Sequence, residues 1–447
     1  MRSFLRPLLT SRFSFSKLNV SDMCDSTPLA PSLGKTWRLA RRLIISPGAL
    51  GACIAIVLTF SWTAQAASQP VFGPVRTAPI GEYAVSFCTG DFNLDGKPDV
   101  VCNVWQTYVA VYLGDGFGGF TLANMYPAGS EGNNLAVGDF NSDSKPDFVV
   151  GVERGPTVKF YLGNGDGSFR EGTNYFIGNW PSAVQVSDFN GDGKDDVVGI
   201  DFGQGTFSIL LGNGDGTFHF SHNRTALAPS ARDVAVADLN HDGRPDLAVS
   251  CYGPSGFVNV LIGNGDGSFT LVGTNASPNP VSTLAIGHFN DDDHPDVIWA
   301  NMAPQGSMTL LLGDGSGGFY GKTNLTVRAY PEALTVADYN GDGIDDVCIG
   351  HNNAWYQTLM LGNGRGGFII NTNIQMAPRF EPTTALGSPD VNSDGRPDLM
   401  AISYNKLLVL PNLSKPSLSI TKDNPNVVLS WPLWPGFTLE SSSFAEP

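Results

Sequence analysis

The chain has 447 residues, 53 of them glycine, with 15% charged residues and a formal net charge of -16. That balance excludes an electrostatic footprint for nucleic acid, which needs a basic surface. Of 42 acidic residues only eight are glutamate, an excess of aspartate that points to loops, because the short carboxylate reaches its own backbone and metals in turns whereas glutamate favours helices.

Residues 1–66 read as an address. Arg38, Arg41 and Arg42 precede an apolar run at 49–60, and Ala64-Gln65-Ala66 follows as a small-residue cleavage signature. A spanning helix needs about 20 apolar residues, so the expectation is a secretory signal, with Met23 an alternative start and a retained anchor the competing reading. The rest of the chain is then secreted, extracellular or on the cell surface, with no membrane contact beyond the export signal. It keeps four cysteines, Cys88, Cys102, Cys251 and Cys348. Cys88 and Cys102 lie three residues outside Asp91 and Asp99, so a loop joining two antiparallel strands would set them opposite one another and allow a cross-strand disulfide. Cys251 and Cys348 read as buried small apolar residues.

From residue 91 the chain repeats. A nine-residue loop begins at Asp91, Asp139, Asp188, Asp238, His288, Asp338 and Asp390, at spacings of 48, 49, 50, 50, 50 and 52 residues. Its third copy, D-F-N-G-D-G-K-D-D, places Asp188, Asn190, Asp192 and Asp196 at positions 1, 3, 5 and 9 around a tight turn at Gly193. Four oxygen side chains can face inward there, with the carbonyl of position 7 beside them. Calcium takes six to eight oxygens at about 2.3–2.6 Å and tolerates irregular geometry, so it fits better than magnesium, zinc or copper. The same positions hold Asp91, Asn93, Asp95 and Asp99; Asp139, Asn141, Asp143 and Asp147; Asp238, Asn240, Asp242 and Asp246; Asp338, Asn340, Asp342 and Asp346; and Asp390, Asn392, Asp394 and Asp398. In the second copy Ser144 replaces the position-6 glycine and should be strained there. In the fifth, His288 replaces the first aspartate and Asp293 the glycine, leaving Asn290, Asp292 and Asp296. Up to seven Ca²⁺ sites are expected, with the one at 288–296 the weakest.

Each loop leads into a short apolar run such as Val197-Val198-Gly199-Ile200, and all copies but the last then reach a second signature, L-G-x-G-x-G-x-F or a close variant, at 113–120, 162–169, 211–218, 262–269, 312–319 and 361–368. Glycine at this density supplies positive φ for a tight hairpin, and a phosphate-cradling loop would need a helix behind it. One repeat therefore holds four short strands, A to D, the content of a propeller blade. Aspartate loops join A to B and glycine hairpins join C to D, so both belong to one face of the disc, and the variable B–C and blade-linking loops belong to the other. Phe72 lies 19 residues before Asp91, as Phe120 lies before Asp139, although no repeat precedes it, and the last repeat loses its hairpin at Pro411-Asn412-Leu413. The segment after the signal is therefore expected to supply strand D of the final blade and close the ring.

D-F-N-x-D-G-x-x-D followed by L-G-N-G-D-G-x-F resembles the FG-GAP/VCBS repeats of integrin α subunits and of many secreted bacterial proteins, over about 71–411. The resemblance implies an all-β fold, a seven-bladed β-propeller of four-stranded blades with calcium-binding A–B loops. A dockerin or EF-hand module begins its loop in the same way, but it carries an acid at position 12 and then a helix. Here aspartate stands at 9, often after proline, and β-type residues follow.

The expected divisions are a leader at 1–66, the propeller at 67–411 and a short β-rich tail at 412–447. No catalytic constellation emerges: His219, His222, His241, His288, His294 and His351 are scattered, and most aspartates are assigned to metal. The candidate recognition surface is the variable face, with Trp105-Gln106-Thr107, Glu153-Arg154-Gly155, Phe202-Gly203-Gln204, Tyr252-Gly253-Pro254, Met302-Ala303-Pro304, Asn352-Asn353-Ala354-Trp355-Tyr356 and Tyr404-Asn405, joined by Tyr175, Trp180 and Tyr330. Such aromatics suit sugar rings or a partner protein, or else pack between blades; Trp299 reads as core. The expected function is an extracellular binding or adhesion module for carbohydrate or protein, the alternative being a propeller-based polysaccharide lyase or hydrolase. Asn223-Arg224-Thr225 and Asn324-Leu325-Thr326 are glycan acceptors only where the host glycosylates.

Overall fold

The apolar runs that follow the aspartate loops form strands buried along their whole length, as in Asp99–Val104, Asp147–Val152 and Asp196–Asp201. A strand buried on both faces needs a hydrogen-bonded neighbour on each side and packed sheets above and below. The glycine hairpin supports one side, and the strand entering the aspartate loop supplies the other. The computed structural model describes residues 69–414 except 82–83, 105–106, 130–131, 153–154, 222–224, 228–229, 254–255, 329, 353, 355 and 377–382, together with 41–45, 419–423 and 426–431. The apolar run and cleavage signature of the leader lie outside the described residues. So do Trp105, Gln106, Glu153, Arg154, Pro254, Asn353, Trp355, Asn223 and the tail from 432.

Blade 1 contains Phe87–Gly90, Asp99–Val104, Tyr108–Gly114 and Phe120–Pro127 as strands A to D, antiparallel and hydrogen-bonded in that order. Blades 2 to 6 repeat this order with A strands Gly132–Gly138, Pro181–Ser187, Ala231–Ala237, Val281–Gly287 and Pro331–Ala337. In blades 2 and 3 strand D is interrupted and resumes as Tyr175–Phe176 and Thr225–Ala226. The seventh sheet combines Thr383–Gly387, Leu399–Ser403 and Lys406–Leu410 with Arg76–Pro79 from the other end of the described ring, Arg76 opposite Val409 and Pro79 opposite Lys406. Beyond it Phe72 bridges Asn412, as Phe120 pairs with Gly114 in blade 1. The amide of Val71 donates to Ser414 Oγ at 2.8 Å, so this sheet's contacts run past residue 411. The result is an all-β seven-bladed propeller with no helix among the described residues.

Aromatic rings lock neighbouring blades together. The second residue of each loop is buried, and in the five loops where it is aromatic it meets the phenylalanine that opens strand D of the next blade edge-on. Phe92 meets Phe169 at 5.5 Å between centroids, Phe140 meets Phe218 at 5.5 Å, Phe189 meets Phe269 at 5.7 Å and Phe289 meets Phe368 at 5.2 Å. Tyr339 of blade 6 meets Phe72 at 6.0 Å in the same way.

One expectation changes. The first ladder closes at Gly90 and Asp99, so Cys88 stands opposite Val101 and Cys102 opposite Phe87. That one-residue offset sends the two thiols to opposite faces of the sheet, and both are free; burial pushes the Cys102 thiol up to about 12. Arg41 and Arg42, read as the flank of the leader, stand in a strand, Arg41–Ile45, that pairs with Asn426–Trp431, itself paired with Ser419–Asp423. Cys251, Cys348 and Trp299 are buried.

Phe189→Ala should lower unfolding free energy by about 3–5 kcal/mol, the usual range for a buried phenylalanine. Phe117→Ala, at a hairpin tip where the ring is 66% exposed, should change it by less than about 0.5 kcal/mol. Urea midpoints of the two variants check this.

Candidate functional site

The aspartate loops are built by side chains bending back onto the turn. In the third, Asp188 Oδ1 accepts the amides of Gly191 and Asp192 at 2.8 and 3.1 Å, and Oδ2 accepts that of Gly193 at 2.8 Å. Asn190 Oδ1 accepts the Asp192 amide at 2.9 Å, and Asp192 Oδ1 accepts the Lys194 amide at 3.1 Å. The loops opening at Asp91, Asp139, Asp238, Asp338 and Asp390 use positions 1, 3 and 5 in the same way. Position 6 is left-handed, which Ser144 and Asp293 adopt at φ 64° and 58°. Position 4 is left-handed too, at Leu94, Ser142, His241 and Ser393, a demand that the mixed residues there conceal in the sequence.

Position 9 does something else. Asp196 is fully buried, its Oδ2 accepting the Phe189 amide at 2.9 Å and its Oδ1 the Gly212 amide at 2.7 Å. One carboxylate thus ties the loop to the first glycine of its own hairpin. Asp99, Asp147, Asp246, Asp296 and Asp346 do the same with Gly114, Gly163, Gly263, Gly313 and Gly362, and Asp398 does so with Asn412. Burial, with the aspartates at positions 1 and 5 adding to it, pushes Asp346 up to about 8 and Asp196 to about 7. Asp147, Asp246 and Asp398 rise to about 6 for the same reasons. In the fifth loop Asp296 also rises to about 6, through burial and then Asp292.

Among the described residues no three acidic or histidine side chains converge as a cage. The donors present, carboxylate and amide oxygens wound around a left-handed turn, are nevertheless those a hard cation takes. Asp188, Asn190 and Asp192, with Asp196 behind them, and their counterparts in the other loops, are the residues that would hold it. Lysines at position 7 partly neutralise three of these loops: Lys97, Lys145 and Lys194 reach Asp95, Asp143 and Asp192 at 3.1, 3.2 and 3.1 Å. Arg396 pairs with Asp394 in the seventh, and Ile344 leaves the sixth without such a cation. In the fifth loop Asp292 Oδ2 is taken by Asn290 Nδ2 at 2.8 Å and by the Tyr320 hydroxyl at 3.0 Å.

This face also fastens blade to blade. The third hairpin glycine donates its amide to the position-2 carbonyl of the preceding loop, from Gly167 to Phe92 and Gly216 to Phe140 at 2.9 Å, Gly267 to Phe189 at 3.1 Å and Gly366 to Phe289 at 3.0 Å. Where aspartate replaces proline at position 8, it clips the preceding loop as well: Asp195 Oδ2 accepts the Asp139 amide, and Asp345 Oδ2 the His288 amide, each at 2.7 Å. The sequence signal for those clips is the doubled aspartate of the third and sixth loops. His241 Nε2 lies 2.9 Å from His294 Nδ1 across blades 4 and 5.

The opposite face is open. Trp180 is 49% exposed, Tyr404 61% and Tyr330 37%. Trp180 stacks with Phe202 at 6.2 Å and 19°, Phe202 tilts against Tyr252 at 6.5 Å, and the Arg232 guanidinium lies 5.1 Å above the Tyr252 ring. Buried Asp201 fixes this shelf by accepting the amides of Trp180 and Gly203 at 3.0 and 2.9 Å. Arg328 lies 4.6 Å above Tyr356, and the Tyr252 hydroxyl meets Met302 Sδ at 3.3 Å. Tyr175 instead packs inside, its hydroxyl accepting the Phe218 amide at 2.8 Å. His351 is buried, its Nε2 2.9 Å from Thr358 Oγ1. At the centre, all seven A strands contribute to a cavity of about 510 Å³ whose rim carries Trp180, Phe202, Arg232 and Glu332.

No curated protein matches the sequence. Among solved structures, BBS1N in complex with ARL6DN is similar at a TM-score of 0.55 and 12% identity over 77% of this chain and 98% of that one. A protein from Lactobacillus plantarum is similar at 0.52 and 12%, over 66% and 86%. These likenesses are of fold. The family model for the FG-GAP-like repeat matches residues 91–150, 139–199, 188–249, 288–349 and 338–401, each match running from one aspartate loop past the next. Repeat register, blade order and loop signature coincide in those segments, and the chain belongs to the FG-GAP-like repeat family.

Proposed function

We propose that the protein is a secreted, calcium-stabilised binding module that recognises an extracellular protein or carbohydrate with its variable face. The division of labour between the faces carries this reading. On one face, loops and hairpins are engaged in holding blades together. On the other, Trp180, Tyr330 and Tyr404 leave large aromatic surfaces in solvent, the kind of surface that anchors partners. A protein ligand is favoured over a glycan by the similar fold of BBS1N, whose structure is a complex with ARL6DN. The leader at 1–66 supports export, and the oxygen-rich loops support calcium, which would neutralise carboxylates crowded at the locking face.

Calcium chelation should lower the melting temperature of the protein by several degrees, and Ca²⁺ rather than Mg²⁺ should restore it; an unmoved melting curve would remove calcium from the account. Asp338→Ala should abolish the calcium-dependent part of the stability contributed by the sixth loop. Asp196→Ala should destabilise with or without calcium by about 2–5 kcal/mol, because it strands two buried amides. Purified protein on glycan and extracellular-protein arrays should show saturable binding without turnover, weakened about tenfold or more by Trp180→Ala or Tyr404→Ala and unaffected by Phe117→Ala on the other face. Product release from a polysaccharide would instead favour an enzyme.

A further inference from the structure

In blades 2 to 7 strand A carries a bulge at the same place, one residue more than its partner strand, at 133–134, 182, 232, 282, 332 and 384. A bulge re-aims the side chain of its extra residue, and Asn134, Ser182, Arg232, Ser282, Glu332 and Thr384 all turn up on the wall of the central cavity. Four of the six are short and do a structural job, each donating to a backbone carbonyl in the next blade. Asn134 Nδ2 reaches Ser182 O at 2.7 Å, Ser182 Oγ reaches Ala231 O at 3.3 Å, Ser282 Oγ reaches Pro331 O at 2.8 Å and Thr384 Oγ1 reaches Ala84 O at 3.1 Å.

Blades 4 and 6 break the pattern. Arg232 and Glu332 make no such clasp, and neither enters a salt bridge or hydrogen bond among the described residues. The Arg232 guanidinium lies over the Tyr252 ring, a contact that uses none of its N–H donors in a hydrogen bond to protein and so leaves them for an anion. The carboxyl of Glu332 is half-buried, and burial raises its pKa while Arg232 opposes the rise. The neighbouring Asp233 does not share the role, since its oxygens accept from Val234, Thr283 and Leu284. Placing two long charged side chains where a serine would clasp the next blade gives up an interblade hydrogen bond, and the fold recovers no ion pair in return. The cavity falls in the size range of small-molecule sites, and Trp180 and Phe202 give its rim a flat apolar wall.

We propose that this cavity binds a zwitterionic small molecule of the amino-acid or short-peptide class, its carboxylate on Arg232, its ammonium on Glu332 and its apolar part against Trp180. Opposite charges that share one cavity without a direct ion pair call for a ligand bearing both; a purely anionic ligand would meet Glu332, and a purely cationic one Arg232. The proposal rests on the reading of the variable face as the recognition face, and it adds a ligand that the exposed aromatics alone do not specify.

The test is calorimetric titration of the purified protein with the twenty free amino acids and the dipeptides Ala-Phe and Ala-Trp, each dipeptide beside its N-acetylated and C-amidated forms. At least one free zwitterion should bind, and blocking either end should weaken it about tenfold or more. Arg232→Gln should erase the preference for acid over amide, and Glu332→Gln the preference for amine over acetamide. Ser282→Ala, a clasp in the same ring, should leave affinity within about twofold. Thermal melts of the three variants establish that they fold. Saturation by none of the probes up to about 10 mM, or equal binding of blocked and free forms, overturns the proposal. If no zwitterion binds while a protein or glycan ligand still depends on Trp180 and Tyr404, the zwitterion site falls and the recognition face stands; if nothing binds that face, both fall.

Discussion

A single carboxylate, repeated seven times, holds each blade to its own loop. The aspartate at position 9 is buried at the start of strand B and accepts one amide from the loop before it and one from the turn after strand C. Buried amides left without an acceptor are costly, so the register of strands A, B and C at this face is decided at once by that residue. The position-2 ring is thereby fixed over the next blade, and the hairpin glycine is fixed against the preceding loop. The price is a carboxyl group in a poorly solvated place, where burial disfavours the ionised form and raises the pKa values of Asp196 and Asp346.

Much of this was legible in the residues. A period near 50 residues, alternating apolar runs and glycine hairpins specify four strands per repeat and seven repeats, and these are the blades observed. Burial of Trp299 followed from its place in a B strand, and that of Cys251 from the small apolar character of a cysteine without a partner. What escaped has a physical reason in each case. Cross-strand register depends on where the ladder stops, and one residue at Gly90 separates Cys88 from Cys102. The left-handed position 4 is hidden because leucine, serine, histidine and glycine all occupy it. The tie that position 9 makes to its own hairpin was not visible either, since spacing along the chain gives the oxygen but not the amides of Phe189 and Gly212 that it accepts.

The near-symmetry of the ring makes its exceptions readable. When equivalent positions are compared, a residue that does what its counterparts do belongs to the scaffold. Among the described residues Asp195 and Asp345 add blade-to-blade clips that the other loops lack, and the bulge ring departs from its short clasping side chains at Arg232 and Glu332. The variable face is irregular in the same sense: Tyr175 packs inward whereas Trp180 and Tyr404 stand in solvent. The scaffold is uniform where blades touch and individual where the molecule meets its surroundings.

The seventh sheet has a consequence for how the protein is made. Val71 and Ser414, hydrogen-bonded to one another, are 343 residues apart in sequence, so six sheets can assemble while the chain is still emerging but the last cannot. Bringing such distant ends together carries an entropy that grows only logarithmically with separation, so the obstacle is one of waiting rather than of energy. Until then the outer edge of Lys406–Leu410 and the segment around Arg76 are each unpaired and open to a neighbouring chain's strand. Assembly of the ring therefore has a vulnerable interval, which ends when the two distant segments of the seventh blade meet.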